Sequence, residues 1–145
     1  MKYISTIIVV QDIERSKHFY NDVLGLEITG DYGQYVTMSE GVSLQTLESW
    51  KEFIHKKNED ILFKNNSWEY YFEEDDIDDF IAKLAKINNI EYVHPLIEHS
   101  WGQRVIRFYD PDKHIIEVGE NMVSVVRRFI ESGLSVEETA ARMDR

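Results

Sequence analysis

The chain has 145 residues, 43% of them apolar and 12% aromatic, which is enough to bury one core or two small modules that share one. Sixteen Lys+Arg against 27 Asp+Glu leave a net charge of −11, which argues against nucleic acid and against an anionic membrane surface as partner, since both call for a basic face. The absence of cysteine removes disulfides, thiol nucleophiles and thiolate zinc sites. No segment approaches the ~18–20 apolar residues that span a bilayer. The apolar start, Ile4 to Val10, is short and lacks a small-residue cleavage site, so a cytoplasmic protein is expected.

Residues 3–10 are rich in β-branched side chains and predict a strand. Asp12 then reads as the cap of a helix carrying Ile13, Ser16, Phe19, Tyr20, Val23 and Leu24, ended by Gly25. Three strands follow at about 26–31, 34–39 and 42–48, separated by turns at Tyr32-Gly33 and Glu40-Gly41. Residues 49–66 break the pattern and predict a loop with one short helix around Trp50, Phe53 and Ile54.

The second half repeats the first. A strand at 67–74 runs into a helix capped by Asp76, with Ile77, Phe80, Ile81 and Leu84 on its apolar side. Strands at about 90–94, 103–109 and 114–119 complete a second βαβββ unit. In the tail, Met122, Val125, Val126, Phe129 and Ile130 form an amphipathic helical stripe that Gly133 ends. Ser135 and Glu138 then make a capping box for a last short helix. That segment resembles the first helix of a helix-turn-helix, but no recognition helix follows it, so it is read as packing on the domain or on a second subunit.

Two motifs carry a resemblance. The first is Val9-Val10-Gln11-Asp12-Ile13-Glu14-Arg15-Ser16-Lys17-His18-Phe19-Tyr20, followed by Val23-Leu24-Gly25-Leu26. The second is Trp101-Gly102-Gln103-Arg104, then Phe108-Tyr109-Asp110-Pro111-Asp112 and Ile115-Ile116-Glu117-Val118. Together with the repeat they resemble the glyoxalase / bleomycin-resistance / extradiol-dioxygenase family, the vicinal oxygen chelate superfamily. The resemblance implies an α+β fold: two βαβββ modules, 1–48 and 67–120, forming a curled mixed β-sheet with a central cavity. A connecting excursion at 49–66 and a C-terminal helical tail at 121–145 complete the expected organisation. It also implies a homodimer.

In the family's metal enzymes, ligands come from the first and last strands of each module, positions matched here by Ser5, Gln45, Glu69 and Glu117. A glyoxalase-like site asks for His or Gln, Glu, His and Glu, whereas a ferrous dioxygenase needs two His and one carboxylate. Only Glu117 fits both patterns. Gln45 is a weak neutral ligand, Ser5 a poor one, and Glu69 stands where histidine is expected. The all-oxygen set argues against a ferrous dioxygenase and suits at most a harder divalent ion held by Gln45, Glu69 and Glu117. No bound cofactor is the first expectation.

Alternation offers another account of the carboxylates. Counting back across the Asp110-Pro111-Asp112-Lys113 hairpin turn sets Arg107 opposite Glu117, with Val105 and Gln103 on the same face. Arg107 is then either the counter-cation for Glu117 and Glu69 or a surface strand residue. Lys113 stands where relatives often carry glycine. Parity adds Ile7 beside Ser5, Tyr71 beside Glu69 and Tyr109 beside Arg107, with Trp101 and His99 at the rim. Of the histidines, only His99 is retained as a candidate acid, base or ligand. His18 reads as solvated, His55 as a loop residue, His94 as the end of a strand before Pro95, and His114 as having the wrong parity. No Ser-His-Asp set, phosphate-cradling glycine loop or HExxH is present.

The expected function is metal-independent binding of a small organic molecule, as in the bleomycin-resistance branch. The alternative is a glyoxalase-like, metal-dependent lyase or isomerase using Glu117 and Glu69, with one carboxylate as proton-transfer base. A third reading is a vestigial cavity in a protein whose tail helix mediates assembly.

Overall fold

A computed structural model describes residues 1–144. They divide into two compact units: the first comprises residues 1–65 with Asp110–His114, and the second comprises the rest.

In the first unit, β1 (Thr6–Val10), β2 (Ile28–Asp31), β3 (Tyr35–Met38) and β4 (Val42–Thr46) form a mixed sheet of order β1-β4-β3-β2. β1 runs parallel to β4 and the other pairs are antiparallel. Helix α1 (Ile13–Leu24) is capped by the Asp12 carboxylate, which accepts from the Arg15 N–H, and ends at Gly25 with φ 70°. Ile8, Val10, Tyr20, Leu26, Val36, Met38, Val42 and Leu44 are buried in this unit. Two boundaries differ from the sequence reading. Ser5 precedes β1 rather than lying on it. The last strand stops at Thr46 because the Thr46 hydroxyl caps helix α2 (Leu47–Ile54).

The turn Asp110–His114 packs in this first unit through two buried carboxylates. Asp110 Oδ2 accepts from the Tyr20 hydroxyl at 2.7 Å and meets His114 Nδ1 at 2.8 Å. Asp112 Oδ1 accepts from the Gln11 N–H, Gln11 Nε2 and Arg15 Nη2 at 3.0, 3.1 and 3.3 Å. Lys113 takes the left-handed conformation, φ 69°, that glycine would hold more easily.

The second unit repeats the topology. β5 (Glu69–Glu74), β6 (Tyr92–Glu98), β7 (Arg104–Tyr109) and β8 (Ile115–Glu120) pair in the order β5-β8-β7-β6, with β5 parallel to β8. The fold is thus α+β, with two four-stranded mixed sheets and, among the described residues, five α-helices. Strand β6 continues through Pro95 to Glu98, further than the reading of 90–94. It is an edge strand with register shifts between Tyr92 and Ile97, where a residue lacking an N–H is tolerated.

Helix α3 (Ile77–Ala85), capped by Asp76, packs Phe80 against Phe108 of β7, ring centroids 6.3 Å apart. Helix α4 (Met122–Glu131) buries Val125 and Phe129 and leaves Val123, Val126 and Ile130 exposed. Helix α5 (Val136–Arg142) opens with the expected Ser135/Glu138 capping box. The tail is tied to its own unit: Arg128 donates to the Gly102 carbonyl and Arg142 to the Ser100 carbonyl. Gly102 has φ +87°, and a Cβ there would lie 2.2 Å from Phe129 Cζ. Gly102→Ala is therefore expected to cost about 2 kcal/mol, combining left-handed strain with displacement of the Phe129 ring. The check is a lowered melting temperature together with earlier proteolysis in α4 than in the wild type.

Candidate functional site

One face of the second sheet carries most of the expected residues. Strand alternation places Glu69, Tyr71 and Glu73 of β5 on it, beside Glu117 and Gly119 of β8 and Gln103, Val105 and Arg107 from the β7 side. The hairpin register sets Arg107 opposite Glu117 and Val105 opposite Gly119, and Tyr71 lies opposite Glu117 on the other side.

The Arg107 guanidinium holds both carboxylates. Its Nε donates to Glu69 Oε2 at 3.1 Å and its Nη2 to Glu117 Oε1 at 2.9 Å. Glu117 is nearly buried, its side chain 10% exposed, while Glu69 is more open at 33%. The pairing counted across the hairpin turn is present.

His94 joins them, which the sequence reading missed. Its Nε2 lies 3.1 Å from Arg107 Nη1 and its Nδ1 2.7 Å from the Pro95 carbonyl. That carbonyl only accepts and the guanidinium only donates. The ring satisfies both as the neutral tautomer with hydrogen on Nδ1. Because β6 runs past Pro95, His94 pairs directly across from Arg107.

A second group forms a relay along the same face. The Trp101 indole N–H donates to Gln103 Oε1 at 3.1 Å, Gln103 Nε2 to the Tyr71 hydroxyl at 2.7 Å, and that hydroxyl to Glu73 Oε2 at 2.6 Å. His99 stacks on Trp101, ring centroids 4.2 Å apart. The Tyr71 phenol is pushed up to about 12, first by desolvation and then by its bond to Glu73; donation from Gln103 works against the rise and the nearby Glu117 charge adds to it. Gly119 leaves room for the relay, since a Cβ there would lie 2.7 Å from Gln103 Nε2.

Beside Arg107 opens a cleft of about 360 Å³ lined by Asn66, Ser67, Trp68, Glu69, Arg107 and Ile115. Asn66 is held in turn by the Tyr109 hydroxyl, 2.6 Å from its Oδ1. Asn66 and Trp68 were not among the expected residues: Asn66 lies in the connecting excursion, and Trp68 fell in the strand read at 67–74 with parity opposite to Glu69, whereas β5 begins only at Glu69.

Ser5, Ile7 and Gln45 belong to the first unit. Ser5 Oγ accepts from the Ser43 hydroxyl at 3.2 Å, and Ile7 is half-exposed. The Gln45 amide is buried and donates to Ser49 Oγ at 2.5 Å and to the Gln34 carbonyl at 3.2 Å. Within the second unit Glu69 and Glu117 are both engaged by the Arg107 guanidinium, and among the described residues no group of three or more His, Asp or Glu is placed to hold a metal ion. Among the same residues no helix is long and apolar enough to cross a membrane.

The comparisons with known proteins agree with this architecture. Residues 3–123 match the family of the glyoxalase-like domain. The uncharacterized protein YraH of Bacillus subtilis (strain 168) is 27% identical over 128 residues, covering 81% of this chain and 97% of that protein. A crystal structure of a protein of unknown function from Agrobacterium tumefaciens str. C58 superposes with a TM-score of 0.74 at 40% identity, over 83% of this chain and 94% of that one. A glyoxalase/bleomycin resistance protein/dioxygenase family enzyme from Burkholderia phytofirmans PsJN shares the fold with a TM-score of 0.69 at 13% identity, over 81% and 96%. With βαβββ topology in both halves and the family match over most of its length, the chain belongs to the glyoxalase-like family of the vicinal oxygen chelate superfamily.

Proposed function

We propose that this protein binds a small organic molecule without the help of a metal ion. The observation that supports the reading is the cleft of about 360 Å³ beside Arg107, which has an indole wall at Trp68, an apolar wall at Ile115 and charge at Glu69 and Arg107. A volume of this size suits a small molecule or one arm of a larger one, and a few fixed polar groups among apolar walls are what orients such a ligand. The relay from Trp101 through Gln103 to Tyr71 offers a second fixed polar and aromatic surface on the same sheet. The net charge of −11 favours a cationic ligand.

The test uses metal-free bleomycin and a set of smaller aromatic cations, titrated calorimetrically with and without chelator. Saturable binding insensitive to chelator, weakened about tenfold by Trp68→Ala, is the expected result; tenfold corresponds to about 1.4 kcal/mol of lost contact. Turnover of a hemithioacetal that requires added metal and disappears in Glu117→Gln would favour a lyase instead.

A further inference from the structure

We infer that the polar centre of the second sheet is a cradle for one planar guanidinium group, filled by Arg107 of the chain itself. Each of the four strands contributes one member. Glu69 of β5 meets Nε, Glu117 of β8 meets Nη2 and His94 of β6 meets Nη1, at 3.1, 2.9 and 3.1 Å. Three acceptors thus address three different nitrogens of the one group that β7 provides.

This arrangement selects shape as well as charge. A small divalent ion such as zinc or magnesium needs its donors at roughly 2.0–2.2 Å from a single point, whereas these acceptors are spread around a flat, branched cation. An ammonium is a compact charge and reaches such separated acceptors poorly. The imidazole takes part only as an acceptor, because the Pro95 carbonyl at 2.7 Å claims the ring hydrogen on Nδ1. The cradle therefore consists of two carboxylates and one fixed nitrogen lone pair.

The inference rests on the metal-free reading but not on what the neighbouring cleft binds. Arg107→Ala empties the cradle while leaving its acceptors. Its melting temperature is expected to fall by about 5 °C, in line with losing hydrogen bonds to charged groups in a chain of this size. Ethylguanidinium at millimolar concentration is expected to restore at least half of the loss, with no such gain in the wild type. Ethylammonium, Mn²⁺ and Zn²⁺ are expected not to restore it. An unchanged melting temperature, or equal rescue by ethylammonium or a metal, overturns the cradle and leaves the small-molecule reading standing. Metal uptake by the wild type that is lost in Glu117→Gln overturns both. Should Arg107→Ala fail to fold, the wild type still decides the matter through long-range ¹H–¹⁵N NMR of His94 near neutral pH. Hydrogen on Nδ1 with a bare Nε2 is expected, and hydrogen on Nε2 contradicts the proposal.

Discussion

Replacing Asp112 by alanine is expected to destabilise the first unit by about 3 kcal/mol and to lower its melting temperature by about 10 °C. The carboxylate is fully buried and gathers the Gln11 backbone and side-chain amides, Arg15 and the Ser16 hydroxyl. Removing it takes the acceptor from the part-buried Gln11 amides and the buried Ser16 hydroxyl at the junction of β1 and α1, and releases the turn from which Asp110 accepts from the Tyr20 hydroxyl. The cost follows from unsatisfied donors more than from lost Coulomb attraction, because Arg15 is itself 47% exposed. Asp112→Asn keeps one acceptor oxygen and is expected to lose about a third as much. Alanine at the exposed Asp22 is expected to change stability by less than about 0.5 kcal/mol. Denaturant melts of the three variants check the order; an Asp112→Ala protein as stable as the Asp22 control contradicts it.

The second large effect is expected at Glu120. Its buried carboxylate lies between two guanidinium groups, 3.1 Å from Arg104 Nη2 and 2.9 Å from Arg128 Nη2. The outer partners of those cations, Asp78 and Glu98, are much more exposed. Glu120→Gln keeps the shape but leaves two cations facing a neutral amide, which is expected to cost about 3–4 kcal/mol and to loosen α4 through Arg128. Burial would raise the Glu120 carboxyl, but the bonds from Arg128 and Arg104 outweigh it and hold the group below its ordinary 4.5. A depressed folded value means that the contribution is complete above 4.5 and is lost as the pH falls through the folded value. The wild type is therefore expected to lose stability in that acid window, and Glu120→Gln to show a correspondingly shallower acid dependence. Equal slopes for the two proteins would contradict this account of the cluster.

What could be read from the sequence follows from range and periodicity. Both βαβββ units were legible because apolar alternation and the Asp12 and Asp76 caps are local signals, and each cap is present. Arg107 opposite Glu117 was legible because a hairpin register can be counted outward from its turn. His94 was not, because Pro95 suggested a strand end, whereas an edge strand carries the proline and continues. The bond from Tyr20 to Asp110 and those from Gln11, Arg15 and Ser16 to Asp112 join residues 90 to 101 positions apart, a separation at which no periodicity in the chain points from one partner to the other. Lys113 was noticed as a departure from glycine, but its left-handed backbone became visible only in the structure. The cleft wall escaped for two local reasons: Asn66 lies in the excursion, which has no face to predict, and alternation in the strand read at 67–74 set Trp68 on the face away from Glu69, whereas β5 starts after it.

In the proposed reading Arg107, and not a metal ion, supplies the positive charge between Glu69 and Glu117. The most direct measurement is the metal content of the purified, untagged protein by mass spectrometry, before and after incubation with Ni²⁺, Zn²⁺, Mn²⁺ and Fe²⁺ and removal of the excess. The account predicts no retained metal above background under any of these conditions. Retention of about one equivalent per chain, abolished by Glu117→Gln, would contradict it, because the positive charge beside Glu117 would then include a metal ion.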